Sequence, residues 1–230
     1  MNSSVQEPVV SPSAQPLVLN RRHRFLLSLT TPLADRLVAA IACLPMVMVI
    51  ILRLKSGQFD LPEVALLLEG GLPIIALVVR RPPARVSVNL WYWLVAFLGT
   101  YWPILSVGLV DAGRPLTAAI VVNVVAVLSL IVALWSRLSL GRNLGIVPAQ
   151  RRLVTTGAYR FVRHPIYTSV FIAYLALVLS AWSPLNGLQA ALGCFWLMIR
   201  SVLEERFLSA DPSYRAYRET VKWRWLPGIA

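Results

Sequence analysis

The chain has 230 residues, of which 57% are hydrophobic and only 14% are charged. A soluble domain usually carries about 25% charged residues, so this composition excludes disorder for the bulk of the chain and argues against an ordinary cytosolic enzyme. The formal net charge of +12 could indicate a nucleic-acid-binding protein. However, the basic residues lie between long apolar runs, where they set the orientation of a membrane protein, and we therefore expect no nucleic-acid partner.

Residues 1–20 are rich in Ser, Pro and Gln and are predicted to form a disordered N-terminal tail. Six apolar runs follow, each close to the roughly 17–25 residues that a helix needs to cross the hydrocarbon core. These runs lie at about 37–52, 64–79, 88–110, 116–136, 166–183 and 187–203. The sequence therefore predicts an all-α fold, a polytopic membrane helical bundle of about six transmembrane helices, with four of them in residues 21–136 and two in residues 137–230.

The basic residues between these runs predict the orientation of the bundle. If the N-terminus is cytoplasmic, 18 basic residues fall on the inside and three on the outside, namely Arg53, Lys55 and Arg114. This asymmetry predicts a multi-pass integral membrane protein with both termini in the cytoplasm, in the inner membrane if the protein is bacterial. The loop 137–165 and the tail 204–230 are the sizeable polar segments on that side. An active site is therefore expected where they meet, facing the cytoplasm.

Charged and polar residues cluster at the ends of the last two runs. Arg200 and Glu204 are four residues apart, so they share one face of a helix. Charged groups at such a depth are costly and often functional, although an interfacial salt bridge is the simpler alternative. His164 precedes Pro165, which biases it towards an extended backbone. The segment around it is rich in Tyr and Arg, which is also typical of a membrane-interface belt.

A single carboxylate lies inside the second run. Glu69 is followed by Gly70 and Gly71, which would let a ligand or another backbone approach closely. An intramembrane carboxylate is a candidate functional residue by default, and it would be the substrate or ion site if the protein were a small transporter. Pairing with a neighbouring helix is the alternative.

Motifs of other protein classes are absent from the sequence. No GxGxxG, GxxxxGK[ST] or GxSxG pattern occurs, so a cofactor would need a membrane-based site. The two cysteines, Cys43 and Cys194, lie in separate apolar runs without a Cys/His cluster. We therefore predict neither a disulfide framework nor a metal site.

The C-terminal half carries an ordered set of motifs. Residues 153–159 (LVTTGAY), residues 163–167 (RHPIY), the pair Glu204-Glu205, the tail tyrosines Tyr214 and Tyr217, and a final Leu-Pro occur in this order. As a set they resemble the isoprenylcysteine carboxyl methyltransferase family of integral membrane enzymes. Phospholipid N-methyltransferases and the sterol C14-reductase group are more distant relatives. The resemblance covers the chain from about residue 140 to its end.

The resemblance implies S-adenosylmethionine as methyl donor, held between the loop 137–165 and the tail. Glu204 would hold a hydroxyl or amine of the cofactor, while Arg200 would face the acceptor and orient its carboxylate. Glu205 would be a candidate base if the acceptor were an amine, and Tyr167 is a second candidate. The other cofactor-binding residues implied are Arg151, Arg152, Leu153 and Val154, largely through their backbone, and Tyr159, Arg163, His164, Pro165, Ile166 and Tyr167.

Together these inferences predict a membrane methyltransferase that acts on a lipophilic small molecule or a lipidated acceptor, most simply a carboxylate of the prenylcysteine type. The alternatives are methylation of a phospholipid or another lipophilic amine or thiol, a sterol-type reductase that uses NADPH, and a small transporter that uses Glu69. Membrane lipid is the expected surrounding partner, and the oligomeric state stays open.

Overall fold

The computed structural model describes residues 9–10, 32–57, 60–76, 81, 85–146 and 148–228. Its described residues form seven α-helices: α1 Pro32–Ser56, α2 Leu61–Ala76, α3 Leu90–Gly108, α4 Ala119–Leu140, α5 Pro165–Ser180, α6 Pro184–Leu208 and α7 Pro212–Thr220. Two 3₁₀ turns, Gly141–Asn143 and Gly157–Arg160, lie in the loop between α4 and α5. Apart from Val9 and Val10, the predicted disordered tail lies outside the described residues.

The predicted mostly helical fold is confirmed, but several helices are longer than their apolar runs. Helix α6 begins at Pro184, because Ser183 caps it by accepting a hydrogen bond from the Asn186 amide, 3.1 Å away. It continues past the apolar run to Leu208, and it therefore carries both Glu204 and Glu205. The tail contains a further helix, α7, whose N-cap is Asp211. The site glutamates are thus held on a rigid element rather than on a flexible tail.

A small sheet accompanies the predicted helices. Three short strands, β1 Val9–Val10, β2 Arg85–Ser87 and β3 Ala149–Gln150, form an antiparallel sheet in the order β1-β2-β3. Val86 pairs with Ala149 in this sheet and is almost fully buried. The runs are too short to show a two-residue periodicity, which is why the sequence did not reveal them. The sheet ties the segment before α3 to the loop after α4.

The helices pack around α2 and α5. Helix α2 contacts α1, α3, α4 and α5, while α3 packs on α6 and α5 packs on both α4 and α6. The approach of α2 to α3 requires a glycine, because a Cβ atom at Gly70 would lie 2.6 Å from Ile104 Cγ1. This close packing fixes the position of the neighbouring Glu69.

Among the described residues, two helices are long and apolar enough to cross a membrane, Leu90–Gly108 and Ala119–Asn143, and the apolar helix Pro165–Ser180 is shorter. Helix α4 exposes a row of large apolar side chains, with Ile120 69% and Leu138 71% exposed. A continuous apolar surface of this kind is typical of a helix that faces lipid. These features support a membrane protein, whereas six crossings and two cytoplasmic termini stay predictions.

Candidate active site

A cavity of about 200 Å³ lies where α2, α3, α5 and α6 meet α7 and the loop between α4 and α5. The helices line it with the apolar residues Pro73, Pro103, Val170 and Leu197 and with the polar residues Glu69, Thr100, Arg200 and Glu204, while the loop and α7 add most of the other polar groups. The titratable residues that line it are Glu69, Arg151, Arg152, Tyr159, Arg163, His164, Tyr167, Arg200, Glu204, Asp211, Tyr214 and Tyr217. The cavity therefore offers both apolar and polar groups to a ligand.

Most of the residues predicted for the site line this one cavity. They are Arg151, Arg152, Leu153, Val154, Tyr159, Arg163, His164, Ile166, Tyr167, Arg200 and Glu204. Neither Pro165 nor Glu205 is among the described residues that line it. Pro165 instead occupies the first position of α5, where its fixed φ suits the start of a helix. The structure brings the predicted set together, while the ligand-binding role of each residue stays a prediction.

Glu205 lies behind the cavity at the centre of a buried ion network. Its Oε1 accepts hydrogen bonds from Arg163 Nε at 2.8 Å, His164 Nε2 at 3.1 Å and Arg224 Nε at 3.2 Å. Its Oε2 accepts one from Arg224 Nη2 at 3.0 Å, and Arg218 Nε is 3.8 Å away. The carboxylate is therefore fully occupied by cationic and imidazole donors.

This environment argues against the predicted role of Glu205 as a general base. Burial alone would raise the pKa of its carboxyl group, but the hydrogen bonds from His164, Arg224 and Arg163 outweigh burial and hold the pKa well below its ordinary value. A carboxylate with so low a pKa binds a proton poorly. Glu205 is better understood as the residue that positions His164 and Arg163.

The same network fastens the C-terminal tail to the start of α5. The backbone amides of Arg163 and His164 donate to the carbonyl groups of Trp223 and Arg224, each at 2.9 Å. The Thr168 hydroxyl donates to the Trp225 carbonyl group in a short hydrogen bond. The tail residues 221–225 therefore hold the start of α5 in place behind the cavity, and the order RHPIY, Glu-Glu, tail in the sequence corresponds to one folded unit.

Arg200 is saturated by the protein itself. Its Nε donates to Glu204 at 2.9 Å, Nη1 donates to Thr100 Oγ1 at 2.6 Å and to the Ala96 carbonyl at 3.3 Å, and Nη2 donates to the carbonyls of Gly145 at 3.3 Å and Ile146 at 2.6 Å. A guanidinium group has five N–H donors, so all of them are used. Arg200 therefore links α3, α6 and the loop after α4, and it has no spare donor for the acceptor carboxylate predicted to bind there.

Glu204 is the carboxylate of the pair that faces the cavity. Its side chain keeps 18% of its surface exposed, against 3% for Glu205. Arg200 fixes Oε1, and His164 Nδ1 lies 4.0 Å from Oε2. A carboxylate has about four acceptor positions, so Glu204 retains capacity for a ligand hydroxyl or ammonium group. The two adjacent glutamates thus have different environments: Glu205 lies in the buried ion network, and Glu204 lines the cavity.

Aromatic rings form much of the remaining polar wall. His164 and Tyr167 stack with their ring centroids 5.1 Å apart. Tyr214 and Tyr217 pack against each other from α7, and the Tyr217 hydroxyl donates to the Tyr159 carbonyl at 2.7 Å. Burial raises the pKa of Tyr159 and Tyr214 well above the usual value, so both remain neutral. The tail tyrosines belong to the sequence motif, but no site role was predicted for them.

No residue of helices α2 and α3 was assigned to this site from the sequence. Glu69 and Pro73 of α2 and Gly99 and Thr100 of α3 line the cavity beside the C-terminal motif. Glu69 was predicted as a candidate only for a separate transporter site. Nothing in its local sequence indicates its neighbours, because the contact depends on how α2 packs against α4 and α5.

Comparison with known families gives one match. Residues 117–213 match the phospholipid methyltransferase family model. The matched region begins just before α4 and ends in the first turn of α7, so it contains every residue predicted for the active site. No curated protein matches the chain. The match supports a membrane methyltransferase. The phospholipid methyltransferases are the family that the sequence motifs indicated as more distant relatives, and the match does not establish the isoprenylcysteine subtype.

Proposed function

We propose that the protein is an integral membrane enzyme that transfers a methyl group from S-adenosylmethionine to the amine of a lipid. The observation that carries this proposal is the cavity itself. A partly exposed carboxylate, Glu204, and two tyrosines, Tyr159 and Tyr167, line it inside the region that matches the phospholipid methyltransferase family, and Tyr214 and Tyr217 line it just beyond that region. The apolar residues of the same cavity suit the lipophilic acceptor.

The donor set of the cavity fits S-adenosylmethionine, which supplies a methyl group activated by a sulfonium cation. Glu204 suits a hydroxyl or ammonium group of the cofactor, and Arg152 suits its carboxylate. The rings of Tyr159, Tyr167 and Tyr214 suit the adenine and the sulfonium. The Arg151 side chain donates to the Arg81 carbonyl at 3.1 Å, so residue 151 would contribute through its backbone, as the resemblance implies.

In such an enzyme the protein mainly aligns two reactants and excludes water. Tyr167 and His164 at the start of α5 form one rigid wall, because the tail holds their backbone in place. Leu197 and Val170 supply apolar surface where α5 and α6 meet. A lipid acceptor would enter from the bilayer along this apolar surface, and the cofactor would enter from the side of the loop and α7.

The state of Arg200 favours an amine acceptor over a prenylcysteine carboxylate. The predicted recognition of a carboxylate depended on free donors of Arg200, and all five are used within the protein. An amine that has released its proton to water is a nucleophile: its nitrogen lone pair would form the N–CH3 bond as the S–CH3 bond of the donor breaks and the neutral thioether leaves. This reaction needs no cationic clamp on the acceptor. The carboxylate of the prenylcysteine type is the alternative acceptor.

A methyl-transfer assay tests this proposal. Purified protein in detergent micelles is incubated with radiolabelled S-adenosylmethionine and with phosphatidylethanolamine, phosphatidylglycerol or a farnesylcysteine derivative whose amino group is acetylated. We expect label in phosphatidylethanolamine and none in phosphatidylglycerol, which has no amine. Label in the farnesylcysteine derivative alone would support O-methylation instead. A melting temperature raised by NADPH but not by S-adenosylmethionine would favour the reductase.

A further inference from the structure

Glu69 is a buried carboxylate in the wall of the cavity, outside the matched region 117–213. Its side chain has no exposed surface, and Arg137 Nη2 of α4 donates to Glu69 Oε2 at 2.6 Å and to its backbone carbonyl at 3.0 Å. Arg137 thus holds one oxygen of the carboxylate and neutralises its charge.

Arg137 does not contact the second oxygen of this carboxylate. Glu69 Oε1 is buried and has no hydrogen-bond partner among the residues that the structure describes. The hydroxyl of Ser169 on α5 is within reach of the Glu69 carboxylate, but it is oriented to donate to the Ile166 carbonyl at 2.7 Å. A buried carboxylate oxygen without a donor is costly, because desolvation is not repaid by a hydrogen bond. Such an atom in a cavity wall is typical of a group that a ligand satisfies.

A second glutamate on α2, Glu63, forms a similar ion pair and serves as a comparison for Glu69. Glu63 is 5% exposed, accepts a hydrogen bond from Arg53 Nη2 at 2.7 Å, and also has one oxygen without a partner in the described part of the chain. It does not lie among the described residues that line the cavity. The two pairs are alike in partner type and burial. Of the two, Glu69 is the one that the structure places among the residues lining the cavity.

We propose that Glu69 Oε1 accepts a hydrogen bond from the amine nitrogen of the acceptor lipid and so selects amine-bearing headgroups. This inference rests on the proposed function. The acceptor group has to bring a donor, because a carboxylate only accepts hydrogen bonds. An amine supplies that donor, whereas the carboxylate of a prenylcysteine would place two like charges together. Helix α2 would then determine which acceptor is selected, and the C-terminal region would bind the cofactor.

The test compares Glu69→Gln with Glu63→Gln in the same methyl-transfer assay, with phosphatidylethanolamine in detergent micelles as acceptor. We expect Glu69→Gln to raise the KM for phosphatidylethanolamine by about tenfold to a hundredfold, as for the loss of one charge-assisted hydrogen bond. The Kd for S-adenosylmethionine, measured by calorimetry, should stay within about twofold of the wild type because the cofactor contacts are elsewhere. Glu63→Gln should leave both values unchanged.

Several results would overturn the inference. They are an unchanged KM in folded Glu69→Gln, or a KM and a cofactor Kd that rise together as a purely structural role predicts. If Glu69→Gln does not fold, the double variant Glu69→Gln/Arg137→Gln removes the unpaired charge. A raised KM in that folded double variant supports the inference, and a normal KM overturns it. A wild type that binds S-adenosylmethionine but methylates only the farnesylcysteine derivative overturns the amine acceptor as well.

Discussion

Replacing Glu205 with glutamine is expected to lower the free energy of unfolding by about 3–5 kcal/mol, the usual cost of removing one partner from a buried ion network. The amide cannot balance Arg163 and Arg224, which lie 2.8 Å and 3.0 Å from the carboxylate oxygens. Thermal unfolding of the detergent-solubilised protein, followed by tryptophan fluorescence, measures the effect. Because the network joins the tail to α5, we expect cofactor binding to be lost as well.

The neighbouring Glu204→Gln variant is the matched control for this prediction. Glu204 is partly exposed and a glutamine keeps an oxygen that accepts from Arg200 Nε, so its replacement should lower the melting temperature far less than Glu205→Gln does. Equal melting temperatures for the two variants would contradict the structural role given to Glu205.

The stability that Glu205 supplies should also depend on pH. Its pKa is lower in the folded protein than its ordinary value of 4.5, so the folded state favours the ionised form. The contribution is therefore complete above about pH 4.5 and is lost as the pH falls below that value. Glu205→Gln should flatten this part of the stability profile. A profile that is equally steep in wild type and variant would assign the acid sensitivity to other groups.

Replacing Arg200 with methionine is the second change with a large expected effect. It deletes five hydrogen bonds and leaves the carbonyls of Gly145 and Ile146 without their donor. We expect a loss of at least about 2 kcal/mol of stability, since each unsatisfied buried group costs about 1–3 kcal/mol. The activity towards amine and carboxylate acceptors should fall together, because Glu204 loses the group that orients it.

Arg206→Met on the same helix is the control for Arg200→Met. Arg206 is exposed, so its replacement should leave both stability and activity close to those of the wild type. If Arg200 instead bound the acceptor carboxylate, as the sequence predicted, Arg200→Met would raise the KM for the farnesylcysteine derivative alone and leave stability normal. That result would contradict a structural role in which all five donors of Arg200 bond within the protein.

The sequence grouped the C-terminal residues that line the cavity because their motifs are local or ordered along the chain. RHPIY begins a helix at Pro165, and Arg200 and Glu204 are one helical turn apart, so spacing alone relates these residues. The pair Glu204-Glu205 was harder to interpret. Adjacent helix residues point in directions about 100° apart, and only the packing of the tail decides which carboxylate faces the cavity.

The remaining features depend on contacts between distant segments. Arg200 is satisfied by carbonyl groups of the loop residues 145 and 146, and a sequence does not show which backbone carbonyls are free. Glu69 reaches the cavity because Gly70 lets α2 approach α3 and because Arg137 lies one turn from the end of α4. The sequence marked Arg200 and Glu69 as candidate functional residues, but their positions in the chain did not show that both line one cavity.

The most direct test of the central claim is calorimetric titration of S-adenosylmethionine into the purified wild type and into Glu204→Gln. We predict saturable binding to the wild type and a Kd at least about tenfold higher in the variant, since a charge-assisted hydrogen bond is lost. The melting temperature of the unliganded variant should stay close to that of the wild type. Absence of binding to folded wild-type protein, or equal affinity in both proteins, would contradict a cofactor site at Glu204.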